Sequence, residues 1–130
     1  MSKVHIQKKG RFTALTESKV FRWCFALSLL FIVITVALPL WRLFPDVIGK
    51  EVVPLHYNIH YGVDWTGVWW QLFMLPASGL GIVLLNAALA FILIKREKML
   101  ANVAMLSSVV LTAFLFLAMV FVVLLNITYG

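Results

Sequence analysis

Three long stretches of the chain contain neither acidic nor basic residues. They cover residues 23–41, 65–94 and 99–130. A transmembrane helix needs about 20 mostly apolar residues to cross roughly 30 Å of hydrocarbon, and each stretch reaches or nearly reaches that length. The pattern therefore predicts an all-α integral membrane protein with three transmembrane helices, at residues 19–44, 68–94 and 100–126.

The segment between the first two predicted helices, residues 45–67, has a different pattern. From residue 53 to residue 65, apolar or aromatic side chains alternate with polar or small residues. The odd positions are Val53, Leu55, Tyr57, Ile59, Tyr61, Val63 and Trp65, and the even positions are Pro54, His56, Asn58, His60, Gly62 and Asp64. A period of two is typical of an extended segment with one apolar face. We therefore expect an extended, partly ordered loop whose odd positions face the membrane interface or the helix ends, with a turn at Gly62.

The basic residues are distributed unevenly around the three uncharged stretches. Nine of the 11 lysines and arginines precede the first stretch or lie between the second and third, whereas Arg42 and Lys50 lie between the first and second. Lysine and arginine are enriched in the cytoplasmic segments of membrane proteins. The distribution predicts a plasma-membrane protein with a basic cytoplasmic tail (1–18), an extracytoplasmic loop (45–67), a cytoplasmic turn (95–99) and an extracytoplasmic end (127–130).

Composition and charge narrow the class of protein further. Hydrophobic residues make up 63% of the chain, against about 45–50% in globular domains, which argues against a soluble domain. The net charge of +6 is explained by the topological signal and by contact with anionic lipid. No aromatic or motif context for nucleic-acid binding accompanies the basic residues, so we expect the lipid bilayer as a partner and no nucleic acid.

Small and polar residues inside the predicted helices indicate where the helices pack. Ala77 and Gly81 form a small-x-x-x-small pair, which lets another helix backbone approach closely. Because the turn at 95–99 is short, the second and third helices must form an antiparallel hairpin. Asn86 and Ser108 then lie at similar depths, each about 12 Å from the turn at 1.5 Å per residue. We expect a hydrogen bond between helices near this pair.

His56, Asn58, His60 and Asp64 are the residues of the loop that could support metal binding or catalysis. In an extended segment His56 and His60 would be about 13 Å apart, which is too far for two ligands of one ion, although a turn at Gly62 could bring Asp64 back toward a histidine. We expect no metal, no cofactor and no enzymatic activity. The alternative is a metal-binding membrane enzyme that uses His56, His60 and Asp64.

A short motif in the loop resembles a known family. Pro54-Leu55-His56-Tyr57-Asn58, followed by Asp64-Trp65, is similar to the Pro-x-His-Phe-Asn…Asp-Gly-Trp segment of the SdpI-type bacterial membrane proteins, and the whole chain resembles small three-helix bacterial membrane proteins. In that family the motif follows a first transmembrane helix. The resemblance implies an extracytoplasmic segment and a role related to immunity against a secreted toxin or to signalling.

The expected function is therefore recognition at the membrane rather than catalysis. We expect the loop to recognise a partner protein, a peptide or another copy of the chain. The residues of this motif are Pro54, His56, Tyr57, Asn58, His60, Gly62, Asp64 and Trp65. An oligomeric channel or transporter subunit is the alternative, although no ionisable residue lies at mid-depth in a predicted helix, where ion and proton pathways normally need one.

Overall fold

The computed structural model describes residues 10–129. Residues 1–9, half of the predicted basic tail, and the final Gly130 lie outside the described residues. The elements in chain order are α1 (Arg11–Glu17), α2 (Lys19–Arg42), α3 (Phe44–Val47), β1 (Val53–Asn58), β2 (Gly62–Gly67), a 3₁₀ helix (Trp69–Phe73), α4 (Met74–Leu93) and α5 (Lys98–Tyr129). The protein is thus mostly helical, with a two-stranded antiparallel sheet between α3 and the 3₁₀ helix.

Three helices are long and apolar enough to cross a membrane, as predicted. They are α2 with 24 residues, the 3₁₀ helix together with α4 with 25, and α5 with 32. At 1.5 Å per residue α5 is about 48 Å long, and it exceeds a hydrocarbon thickness of roughly 30 Å. α5 therefore continues through most of the predicted end segment, 127–130, and its last turns reach the sheet.

Proline explains two differences between the predicted and observed helix bounds. The predicted helix at 19–44 divides at Leu43, because Pro45 near the start of α3 has no N–H to continue the helix. Pro76, expected within the second helix, is the third residue of α4. The first four N–H groups of a helix have no partner within it, so Pro76 fits the start of α4 without breaking a hydrogen bond.

α5 packs against both α2 and α4, and it is the central helix of the bundle. Two groups of buried side chains lie at opposite ends of the bundle. At the end where α4 turns into α5, the turn end, they are Leu15, Cys24, Ala90, Ile94, Ala101 and Met105. At the end that carries the sheet, the hairpin end, they are Leu43, Val47, Val53, Leu72, Met119 and Val123. The second group joins β1 to the helices.

Polar side chains between these two groups bond within the bundle. Asn86 Nδ2 donates to Ser108 Oγ at 2.9 Å and to Ser107 Oγ at 3.1 Å, so the structure contains the expected contact between α4 and α5. Thr112 is buried and donates to the Ser108 carbonyl at 2.7 Å. These bonds satisfy donors in surroundings where an unpaired polar group is costly.

The close helix contact lies at Gly79 rather than at the predicted pair. A Cβ on Gly79 would lie 3.2 Å from Leu115 Cδ1 and 3.5 Å from Ile32 Cγ1, whereas a Cβ on Gly81 would meet nothing within 4 Å. Ala77 and Gly81 are both exposed. The prediction of a close contact at Ala77 and Gly81 is therefore wrong for the packing within this chain, because that face of α4 points away from α2 and α5.

The predicted extended loop folds back on itself as a hairpin. β1 pairs antiparallel with β2, with Val53 opposite Gly67 and Asn58 opposite Gly62, and the register is irregular around His56. Gly62 has a φ of 78°, in the left-handed region that glycine adopts readily. Residues 53–65 are therefore not one continuous strip, because the chain reverses between Asn58 and Gly62.

Candidate functional site

The hairpin brings His56 and Asp64 together. His56 Nδ1 lies 2.7 Å from Asp64 Oδ1, because the reversal between Asn58 and Gly62 places the two residues on facing strands. The carboxylate accepts from the imidazole, so in a neutral His56 the other ring nitrogen, Nε2, is left as an acceptor. The His56 side chain is 61% exposed, and exposed pairs of this kind contribute only about 0–1 kcal/mol. The pair orients an imidazole at the surface of the sheet.

Asn58 shapes the tip of the hairpin. Its side-chain Oδ1 accepts from the backbone N–H of His60 at 2.9 Å, which is the bond of an Asx turn. The His60 ring packs edge-on against Tyr61, with centroids 6.5 Å apart. His60 thus belongs to the tip rather than to the His56–Asp64 pair. No group of three histidine, cysteine or acidic side chains that could hold a metal occurs within residues 10–129.

Asn126 attaches β1 to the last turns of α5. Its Nδ2 donates to the Pro54 carbonyl at 2.6 Å and to the Val122 carbonyl at 2.8 Å. Pro54 itself is buried. The sequence shows a polar residue near the end of an apolar stretch, but no local signal identifies a partner 72 residues away along the chain.

Aromatic stacking fixes the same strand at a second point. The rings of Tyr57 and Tyr129 are stacked, with centroids 5.4 Å apart and planes 22° apart. Such pairs contribute about 0.5–1.5 kcal/mol beyond the area they bury. Together with Asn126, Tyr129 holds β1 against α5, and the hairpin is therefore an ordered part of the bundle.

The exit from β2 is tightly packed at Gly67. A Cβ there would lie 2.5 Å from Leu55 Cδ1 and would collide with the Gln71 side-chain amide. The buried Gln71 Oε1 has no hydrogen-bond partner among the described residues. Sequence reasoning missed Gly67, Gln71, Asn126 and Tyr129, since each depends on contacts that no local pattern reveals.

The apolar residues of the hairpin divide into a buried base and an exposed tip. Val53 is fully buried and Leu55 packs with the hairpin-end core. Ile59 and Tyr61, in contrast, are each 84% exposed, and Trp65 is 62% exposed. Val53, Leu55 and Tyr57 thus pack against the helix ends, whereas Ile59 and Tyr61 do not, and the expectation that such odd positions face the membrane interface stays a prediction.

A large cleft opens between the hairpin, α4 and α5. Its volume is about 1130 Å³, slightly above the roughly 300–1,000 Å³ typical of ligand sites. The residues that line it are mostly apolar, with His56, Gln71, Ser78, Thr128 and Tyr129 among the polar ones. The site as a whole combines an oriented imidazole, exposed aromatic rings and an apolar cavity. Binding sites for ligands typically combine groups of these kinds.

Comparisons with known proteins assign no function to this chain. No family model matches the chain, and no curated protein or solved structure matches it. The resemblance of the loop motif to SdpI-type proteins stays a prediction.

Proposed function

We propose that this chain is a non-enzymatic integral membrane protein whose β1–β2 hairpin recognises an extended segment of a partner protein at the membrane surface. The observation that carries the proposal is the open edge of β2. β1 packs against α5 as well as against β2, but among the described elements β2 has extensive contact only with β1. An exposed strand edge offers unpaired N–H and C=O groups to another chain.

The membrane placement is part of the proposal. α2, α4 with its 3₁₀ helix, and α5 cross the plasma membrane, with the N-terminus in the cytoplasm and the hairpin outside. The lysine and arginine distribution supports this orientation. The exposed rings of Trp41, Trp65 and Trp70 suit the membrane–water interface, where amphipathic aromatic side chains are enriched.

The hydrogen bonds of Pro54 support a usable edge at Thr66. The Pro54 carbonyl bonds to Asn126, so it points away from β2. The two residues of a pair in an antiparallel ladder direct their backbone groups the same way, either toward each other or outward. Thr66 pairs with Pro54 and is exposed, so its N–H faces the open edge and is free to bond to a partner strand.

Exposed side chains next to this edge supply specificity. Tyr61 and Trp65 present large amphipathic rings, which are over-represented in protein interfaces. His56, held by Asp64, adds an oriented polar group. Recognition of a secreted peptide or of a signalling partner, as the resemblance to SdpI-type proteins implies, would use the same surface.

Site-specific photo-crosslinking in cells tests the proposal. A benzophenone amino acid replaces Trp65 beside the edge, and in the matched control it replaces Trp41, which is 80% exposed on α2. We expect a protein adduct from position 65 that is lost with Thr66→Pro, which removes the outward N–H, and retained with Thr66→Val. An adduct with twice the mass of the chain would identify the partner as another copy.

Three results of the same experiment would contradict the proposal. They are equal adducts from positions 65 and 41, adducts only with lipid, and adducts that persist in Thr66→Pro at the level found for Thr66→Val.

A further inference from the structure

We infer that the cleft between the hairpin, α4 and α5 binds one lipid molecule, with its acyl tail between the two helices and its polar head beside β1. This inference rests on the proposed membrane placement, but not on partner recognition by the β2 edge. Of the β2 residues only Trp65 lines the cleft, and the edge at Thr66 does not, so either function can fail without the other.

The length of the cleft matches one leaflet of a bilayer. Its α5 wall runs from Ala118 to Tyr129, which is about 17 Å at 1.5 Å per residue. Half of a hydrocarbon thickness of roughly 30 Å is about 15 Å. The cleft is therefore about as long as one leaflet is thick, and it opens at the hairpin end of the bundle.

The chemistry of the walls changes along this length as it does along a lipid. The hairpin end of the cleft carries the imidazole of His56 and the hydroxyls of Thr128 and Tyr129. Further along, the walls are the apolar side chains of Leu75 and Phe121. A polar head fits the first region and an acyl tail fits the second.

Small residues leave the space that a tail would fill. Ala118 and Ser78 line the cleft, and the Ser78 hydroxyl donates to the Leu75 carbonyl at 2.7 Å, so it presents little polarity to the cleft. The volume of about 1130 Å³ corresponds to on the order of 40 non-hydrogen atoms, if each takes about the 30 Å³ of a liquid water molecule. That is the size of one membrane lipid.

A lipid titration tests the inference. The protein is purified in a maltoside detergent, with its five tryptophans replaced by phenylalanine and with Phe121→Trp, so that fluorescence reports the apolar part of the cleft. Phosphatidylcholine with a brominated acyl chain serves as the probe and quencher. We expect saturable quenching with one lipid per chain.

Two cleft-filling variants and a matched control make the test specific. Ser78→Phe places a ring in the cleft, and Ala77→Phe places the same ring on the neighbouring exposed position, which does not line it. We expect Ser78→Phe to weaken lipid binding at least about tenfold, which corresponds to about 1.4 kcal/mol, and Ala77→Phe to leave it unchanged. Ala118→Phe fills the cleft from α5 and should act like Ser78→Phe, which covers the case in which one variant fails to fold.

Quenching that rises linearly with lipid and never saturates would overturn the inference, because it would indicate only partition into micelles. Equal lipid affinity in the two cleft-filling variants and in Ala77→Phe would also overturn it. Failure of position 65 to form any protein adduct in the otherwise wild-type chain, with lipid binding intact, would instead count against partner recognition alone.

Discussion

At the scale of single residues, the hairpin depends on a few bonds that link distant parts of the chain. Asn126 and Pro54 make the shortest of these, at 2.6 Å, while His56 and Asp64 pair across the sheet. The sequence motif indicates His56, Asn58 and Asp64 as a group. The sequence also predicts that Asp64 can approach His56 only if the chain turns at Gly62. Asn126 could not be predicted as their support, because an amide at the end of an apolar helix has many possible partners.

Replacing Asn126 with leucine should destabilise the protein more than the same change at Asn86. Asn126→Leu leaves the buried Pro54 carbonyl without its partner, which costs about 1–3 kcal/mol. Asn86 bonds to two serine hydroxyls, and hydrogen bonds between transmembrane helices average about 0.6 kcal/mol. Thermal unfolding of both variants in detergent measures the difference, and a larger loss for Asn86→Leu would contradict this ranking.

The imidazole of His56 should support the hairpin without a metal ion. His56→Ala removes the bond to Asp64, and because the pair is exposed we expect a loss of no more than about 1 kcal/mol. A chelator should leave the melting temperature of the wild type unchanged. Stoichiometric zinc in the purified protein, lost together with stability in His60→Ala, would support the metal interpretation instead.

At the scale of elements, the presence of helices is readable from the sequence but the way they face each other is not. The absence of charge over three long stretches predicts three apolar helices, which the structure contains. A helix that is apolar on all sides has no polar face to mark its exposed side. The small residues of α4 are therefore ambiguous, and Gly79 rather than Gly81 makes the close contact. The loop was predicted as an extended segment with a turn at Gly62, but not as two paired strands, because alternation does not show which residues pair.

Leucine substitutions on α4 distinguish the two glycines. Gly79→Leu would press against Leu115 and Ile32, and overpacking of this kind costs about 1–3 kcal/mol. Gly81→Leu points into open space and should leave the melting temperature of the monomer nearly unchanged. If Gly81→Leu proves the more harmful in a monomeric preparation, the described packing of α4 is wrong.

At the scale of the whole molecule, three helices that are long and apolar enough to cross a membrane carry one ordered hairpin at one end of the bundle. The hairpin-end core joins β1 to the helices, and the turn-end core lies at the other end of the bundle. The orientation in the membrane rests on charge distribution.

Cysteine labelling in intact cells tests that orientation. In a Cys24→Ala background, Lys50→Cys should react with an impermeant thiol reagent and Glu97→Cys should not, because we expect position 50 outside and position 97 in the cytoplasm. Labelling at 97 with position 50 silent would reverse the topology.

The central claim is that residues 53–67 form an ordered hairpin fixed to the ends of membrane helices, and amide hydrogen exchange in lipid nanodiscs tests it most directly. We predict that those amides between Leu55 and Asn58 that face β2 exchange slowly in the wild type, that their protection falls in Asn126→Leu, and that it is retained in Asn86→Leu. Two results would contradict the account. These amides could exchange in the wild type as fast as those of an unstructured segment, or their protection could be unchanged in Asn126→Leu.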